Sequence, residues 1–145
     1  MKRITLLIVI FFTSLVLFAA DSTPDDIIGI WANSSNKAHI QIFKQNGKYY
    51  GKIVWLKNPN DAVTGKPKVD KKNPDESARN RRILGLVVLR DFKYDDEEWK
   101  HGKIYNPEDG KEYKSFIELD GKELSVRGYI GISLLGKTEK FTRVK

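Results

Sequence analysis

The sequence contains no cysteine, and this absence excludes two common ways of stabilising a small protein. Disulfide bonds and thiolate metal sites both require cysteine side chains. A lipid-anchored lipoprotein is excluded as well, because its acylated residue is a cysteine. The fold must therefore be stabilised by packing alone, and a domain of about 125 residues buries enough apolar surface for that.

Residues that commonly build catalytic or metal sites are also scarce. His39 and His101 are the only histidines, and neither belongs to a Glu-x-x-His pattern, so we expect no zinc site. The sequence lacks Gly-x-Ser-x-Gly and any phosphate-binding glycine loop. The acidic run over residues 95–98 lacks the spaced ligands of a calcium loop and predicts a solvated turn. We therefore expect no enzyme, no metal and no cofactor, with a carboxylate pair from distant strands as the open alternative.

The longest hydrophobic run lies at the N-terminus and has the features of a secretory signal peptide. Lys2 and Arg3 precede an apolar run over residues 4–18, and Ala19 and Ala20 follow it. This run is shorter than the roughly 20 residues that a membrane-spanning helix needs. The pattern predicts a leader that is removed on export.

Cleavage of this leader divides the chain into a signal peptide over residues 1–20 and one mature domain over residues 21–145. An uncleaved anchor is the alternative, because cleavage after either alanine leaves Leu17 or Phe18 three positions before the cut. We expect an exported protein, periplasmic or extracellular, with no integral membrane span in the mature chain.

The charge of the mature domain is modestly basic. The chain has 26 Lys and Arg against 19 Asp and Glu residues, and removal of Lys2 and Arg3 lowers its net charge from +7 to +5. A lysine-rich solvated surface explains this excess, and attraction to anionic envelope polymers or lipid head groups is the functional alternative. Nucleic acid is not an expected partner of an exported chain, and we expect a monomer.

Tight turns between β-forming runs indicate the fold class. Asn46-Gly47, Asp109-Gly110 and Asp120-Gly121 are each preferred in type I′ hairpin turns. Alternating apolar and polar residues flank them. The predicted strands cover residues 27–32, 38–43, 49–56, 84–92, 99–105, 113–119, 124–130 and 137–144.

These strands predict an all-β fold, an antiparallel up-and-down barrel of about eight strands. Closing the meander into a barrel removes exposed strand edges, and an open sandwich is the alternative. Residues 57–80 are predicted to form one long loop. This loop is either a solvated excursion between two strands or a lid that covers one end of the barrel. A short helix is predicted within it, with Asn73 as the cap, Pro74 at the first position and Glu76 completing a capping box.

Several stretches together resemble a known family. Gly29-Ile30-Trp31 and Arg143 resemble the calycin arrangement, in which an N-terminal Gly-x-Trp and a C-terminal arginine pack together across one barrel end. Nearly the whole mature chain resembles the bacterial exported family named domain of unknown function 2147. The matching stretches are Gly29-Ile30-Trp31, Gly51-Lys52-Ile53-Val54-Trp55-Leu56, Asn73-Pro74-Asp75, Gly85-Leu86, the run over residues 102–111 and the run over residues 126–131.

The resemblance implies a lipocalin-like barrel in the periplasm or outside the cell, and it implies no established reaction. This chain departs from the family pattern at Arg79-Asn80-Arg81-Arg82, where relatives often carry a proline, and at Phe141, where tryptophan is usual. For Trp31 and Arg143 we expect structural closure, because a guanidinium can lie flat on an indole while its donors satisfy carbonyl groups.

A ligand site is the last expectation, and it rests on what the fold permits. An eight-stranded barrel is either filled by side chains or holds one small ligand. Two apolar stretches bounded by glycine, residues 83–86 and 130–136, either continue strands into the core or line a cavity. Arg127 faces away from Leu124 and Val126, and its position outside the barrel or inside with Tyr129 stays open. The predicted ligand-binding residues are Trp55, Leu84, Leu86, Trp99, Tyr105, Arg127, Tyr129, Ile132 and Leu134, with Arg81 and Arg82 at the entrance.

Two functions of different classes follow from these expectations. The first is binding of a small amphipathic or hydrophobic ligand in the cell envelope. The second is a surface-binding module that engages another envelope protein or polymer through a side-chain-filled barrel. A barrel interior packed with Tyr and Trp side chains argues against a ligand inside it.

Overall fold

Eight antiparallel strands follow one another around a closed barrel in the computed structural model, which describes residues 22–144. Each strand pairs with its neighbours in sequence, and β1 pairs with β8 to close the barrel. The predicted up-and-down barrel is confirmed. The predicted leader, residues 1–20, lies outside the described residues. The strands are β1 (Gly29–Asn33), β2 (Ala38–Gln45), β3 (Lys48–Leu56), β4 (Val87–Asp95), β5 (Glu98–Asn106), β6 (Lys111–Asp120), β7 (Glu123–Tyr129) and β8 (Lys137–Arg143).

The hairpin turns follow the predicted chemistry with two differences. Asn46 and Gly47 both have positive φ, as a type I′ turn requires. In the β6–β7 turn only Gly121 has positive φ, which is the pattern of a type II′ turn rather than the predicted type I′. Asp109-Gly110 closes a longer turn, in which the Gly110 amide donates to the Asn106 carbonyl oxygen at 2.8 Å.

The predicted short helix is shifted and reduced to one turn. A 3₁₀ turn covers Glu76–Ala78, and its cap is Asp75, whose carboxylate accepts from the Ser77 amide at 2.9 Å. The prediction that Asn73 caps a helix is wrong, because the Asn73 side chain is used in an Asx turn to the Asp75 amide. A second 3₁₀ turn, Ser133–Leu135, replaces part of the predicted apolar continuation of β7. No helix within residues 22–144 has the length and apolar character needed to cross a membrane.

The alternation of strand directions gives the barrel two different ends. At one end, which we call the closed end, lie the short turns β2–β3, β4–β5 and β6–β7 and the segment that precedes β1. In that segment Ile27 is fully buried, and the Pro24 carbonyl accepts from the Trp99 indole at 3.0 Å. The opposite end, which we call the loop end, carries the longer connections β3–β4 and β7–β8.

The barrel interior is filled by aromatic and branched side chains. Trp31, Tyr49, Phe92 and Trp99 are almost fully buried in one cluster with aliphatic residues from the surrounding strands. Gly102 makes room for one of these rings, because a methyl group at its position would overlap the Phe92 side chain. The half of the barrel interior at the closed end is therefore packed by its own side chains and leaves no space for a ligand.

Candidate functional site

A groove runs along the outside of the barrel, between the β3–β4 connection (residues 57–86) and the outer face of β4. It consists of two adjoining cavities of about 390 Å³ and about 500 Å³. Both are lined by Arg81, Leu86, Val87 and Arg90, so they form one continuous space, which we call the arginine groove. Its remaining lining residues are Asn73, Pro74, Arg82, Leu84, Gly85, Tyr105, Gly110 and Glu112.

Strand register places the barrel side of this groove on the outer face. Val87 lies opposite Lys52, and Arg90 lies opposite Lys103. An irregularity in the β3–β4 pairing lets both Val88 and Leu89 be buried while Val87 is exposed. The groove therefore combines an apolar floor with charged walls outside the barrel core.

Three guanidinium groups surround this floor, and they differ in their partners. Arg90 pairs with Glu112, which also contacts Lys103 at 3.0 Å. Arg81 lies 3.6 Å from the carboxylate of Asp70. Arg82 makes no ion pair within residues 22–144. The local charge is therefore positive, and Arg82 has donors available for a bound anion.

Asp70 organises the loop side of the groove, and it is fully buried. Its carboxylate accepts from the Tyr105 hydroxyl at 2.7 Å and from the Asn73 amide at 2.8 Å. Burial, and then the hydrogen bond to Asp70, raise the pKa of Tyr105 to about 12. Tyr105 therefore stays a neutral hydrogen-bond donor at physiological pH.

Backbone contacts fasten residues 57–86 to the barrel. The Gly85 amide donates to the Ile53 carbonyl in β3 at 2.7 Å, and the Ile53 amide donates to the Leu86 carbonyl at 3.0 Å. Gly110, in the β5–β6 turn, touches the Lys72 carbonyl so closely that a methyl group there would overlap it, and its φ is +71°. These contacts hold the long loop against the barrel at β3 and at the β5–β6 turn of the loop end.

Five predicted site residues come together in the arginine groove. The groove where they meet lies outside the barrel, not in the expected interior cavity, and Leu86 in its floor belongs to the buried core cluster. Arg81 and Arg82, predicted to form an entrance, line the groove itself. The other three are Leu84, Leu86 and Tyr105.

The two tryptophans among the predicted ligand-binding residues have different positions. Trp99 is fully buried in the core and packs against Tyr49 and Tyr94. Trp55 is 40% exposed and stacks on His39 at a centroid distance of 4.4 Å. The placement of Trp55 inside the barrel is wrong, because a bulge in the β2–β3 pairing turns it to the outer face beside His39.

The remaining predicted ligand residues lie on the outside of β7 and on the connection after it. Arg127 and Tyr129 both face outward, since Leu124 and Val126 fill the interior. Ile132 and Leu134 are strongly exposed in the β7–β8 connection. None of these four lines the arginine groove, and Arg127 lies outside the barrel rather than inside it with Tyr129.

At the closed end, Arg143 covers Trp31. The guanidinium carbon of Arg143 lies 4.2 Å from the indole centroid. Arg143 donates to the carbonyl oxygens of Asp26 and Ile28, and the Trp31 indole donates to the Ile27 carbonyl at 2.8 Å. The pair thereby ties the segment before β1 to the last strand.

Sequence reasoning missed several residues of the groove. Asp70 and Arg90 carry no local motif, and only their contacts across the fold give them a role. Strict alternation on β4 would place Arg90 on the same face as the buried Val88 and Phe92, so it does not identify Arg90 either. Within the described residues no cluster of three or more His, Cys, Asp or Glu side chains could hold a metal ion.

Comparison with known proteins agrees with this architecture. The family described as "Uncharacterized protein conserved in bacteria (DUF2147)" matches residues 29–143, from the first residue of β1 to the last residue of β8. The chain belongs to this family. No curated protein shows significant similarity to it.

One solved structure is similar to the barrel of this DUF2147 protein. It is protein HP1028 from the human pathogen Helicobacter pylori, which is described as belonging to the lipocalin family. The two chains are 29% identical, the match covers 83% of this chain and 84% of that one, and the TM-score is 0.69. The barrel is therefore lipocalin-like.

Proposed function

We propose that this protein binds a small amphipathic anion in the arginine groove. The observation that carries the proposal is the arrangement of Arg81, Arg82 and Arg90 around a floor that includes Leu86 and Val87. Guanidinium groups form charge-assisted, bidentate hydrogen bonds with carboxylates and phosphates. An apolar floor of this size accommodates a short hydrocarbon tail, since ligand sites commonly measure about 300–1,000 Å³.

The side chains that fill the closed-end half of the barrel interior support the choice of the groove. Trp31, Phe92 and Trp99 occupy space that a hollow barrel would leave to its ligand. The groove is the position at which predicted apolar and cationic site residues meet. A ligand there contacts the long loop on one side and β4 on the other.

The chemistry proposed is binding without turnover, in an exported protein. The lipocalin-like fold supports binding rather than catalysis. The basic, then apolar, then small-residue pattern of residues 1–20 supports export to the periplasm or the cell exterior. Intact-mass measurement of exported protein should give a mature N-terminus at Ala20 or Asp21. Recovery of only the full-length chain in membranes would contradict cleavage.

Calorimetry with ligands of equal tail length tests the head-group requirement. We expect lauric acid to bind and dodecanol, which has the same tail and no charge, to bind at least tenfold more weakly. Arg82→Gln should weaken laurate binding by about 1.5–3 kcal/mol, the range for hydrogen bonds to charged groups. Because Arg82 has no ion-pair partner among the described residues, the thermal midpoint should change little.

Lys122→Gln is the matched control, since it removes one exposed positive charge at the closed end. It should leave laurate affinity unchanged at physiological ionic strength, because its charge is screened from the groove. Equal affinities for laurate and dodecanol, or equal effects of the two substitutions, would rule out the arginine groove as an anion site.

A further inference from the structure

The β7–β8 connection presents the most exposed group of large hydrophobic side chains in the described chain. Ile130, Ile132, Leu134 and Leu135 are exposed by 67%, 59%, 83% and 79%. No charged residue lies between Arg127 and Lys137. Clusters of exposed apolar residues of this kind mark contact surfaces rather than ordinary solvated loops.

Arg127 holds this apolar segment in a fixed shape. Its Nε donates to the Ser133 carbonyl oxygen at 2.7 Å, and its Nη2 donates to the Leu134 carbonyl oxygen at 3.2 Å. Its Nη1 donates to the Thr138 hydroxyl at 2.8 Å. The carbonyl groups of Ser133 and Leu134 therefore accept from a barrel residue, and the large hydrophobic side chains of the loop are exposed to solvent.

The surroundings of the loop are aromatic and basic. Tyr129 packs against Phe116 on the outer face at its base, with ring centroids 6.3 Å apart. On the same outer face, Lys114 lies opposite Tyr129. Residues 124–138 contain no Asp or Glu. An apolar tip above an aromatic and lysine-bearing base matches the layers of a membrane interface with anionic lipids.

We propose that residues 130–135 insert into the surface of a lipid bilayer that contains anionic head groups. The tip enters the acyl boundary, Tyr129 and Phe116 lie at head-group level, and Lys114 faces the anionic phosphates. Charge complementarity selects this occupant over a second copy of the chain, whose equivalent surface carries the same positive charge. The proposal involves none of the groove residues, so its test is independent of ligand binding in the arginine groove.

A single fluorescent label tests the insertion site directly, because the chain has no cysteine of its own. Leu134→Cys and Lys122→Cys are each labelled with an environment-sensitive nitrobenzoxadiazole dye and mixed with phosphatidylcholine vesicles, with or without phosphatidylglycerol. We expect increased, blue-shifted emission only at position 134 and mainly with phosphatidylglycerol. Added salt should weaken this response. Attachment through the N-terminal segment would leave both dyes in water.

Vesicle co-sedimentation of Leu134→Ser gives a second readout. Its partition onto phosphatidylglycerol vesicles should fall about tenfold, the factor expected for losing one buried leucine side chain. Its thermal midpoint should match that of the unmodified protein, because Leu134 lies outside the core. The proposal is overturned by an unresponsive dye at 134, by equal responses at 134 and 122, or by a vesicle-independent response that grows with protein concentration, which would mean self-association.

Discussion

Trp31→Ala should lower the free energy of unfolding by about 3–5 kcal/mol, the range for truncating large aromatic residues in cores. Trp31 is completely buried, and its indole also donates to the Ile27 carbonyl. The substitution leaves a cavity at the closed end and removes the surface on which Arg143 lies. Chemical denaturation measures the loss, with β-sheet circular dichroism as the check that the folded baseline is retained.

A double-mutant cycle separates the Trp31–Arg143 contact from the loss of the indole itself. Trp31→Ala, Arg143→Ala and the double variant should show a coupling of about 0.5–2 kcal/mol, as expected for a guanidinium on an indole face. Arg143→Lys is the matched control, because it keeps the charge and loses the planar fork that reaches two carbonyl groups. Independent, additive effects would show that the two side chains do not stabilise the closed end together.

Asp70→Ala should be the most damaging substitution in the long loop. It leaves the Tyr105 hydroxyl and the Asn73 amide without their acceptor, and Arg81 without its carboxylate. Buried groups left unsatisfied cost about 1–3 kcal/mol each, so we expect a loss of roughly 2–4 kcal/mol. Laurate binding should fall as well, because Asp70 positions Arg81 and Tyr105 along the groove.

Asp61→Ala is the control for Asp70→Ala, since Asp61 is another loop aspartate in an ion pair, here with Lys71. The Asp61 carboxylate also accepts from the amides of Val63 and Thr64 at 3.0 Å, but its side chain is 24% exposed. We therefore expect a loss of about 1 kcal/mol, smaller than that for Asp70→Ala. It should also leave laurate affinity unchanged, because Asp61 does not line the groove. An Asp70→Ala variant that behaved like Asp61→Ala would contradict the role given to the buried carboxylate.

The barrel could be predicted because its determinants are local. Asn46-Gly47 forms a turn with both φ angles positive, and the alternation over β7 places Leu124 and Val126 inside. Each of these signals spans only a few residues and has one physical reading. The order of strands then follows from short connections between neighbours.

The site could be predicted only in part, because its geometry depends on contacts distant in sequence. Trp55 faces outward because of a bulge in the β2–β3 pairing at His39 and Ile40. No residue type in this stretch predicts that bulge. The path of residues 57–86 depends on one buried carboxylate, Asp70, in a segment whose composition predicts a solvated loop. The sequence predicts Leu86 and Arg81 as site residues, but only the structure shows that they line the same groove on the outside of the barrel.

Photoaffinity labelling tests the position of the ligand most directly. A laurate analogue with a diazirine at the end of its tail is bound to the protein, and the complex is irradiated. Peptide mass spectrometry then identifies the residues to which the analogue is attached. The account predicts crosslinks at Leu84, Leu86 or Val87, suppressed by excess unlabelled laurate and reduced in Arg82→Gln. Crosslinks at interior residues such as Ile40 or Ile117, with the groove unlabelled, would contradict it and place the ligand inside the barrel.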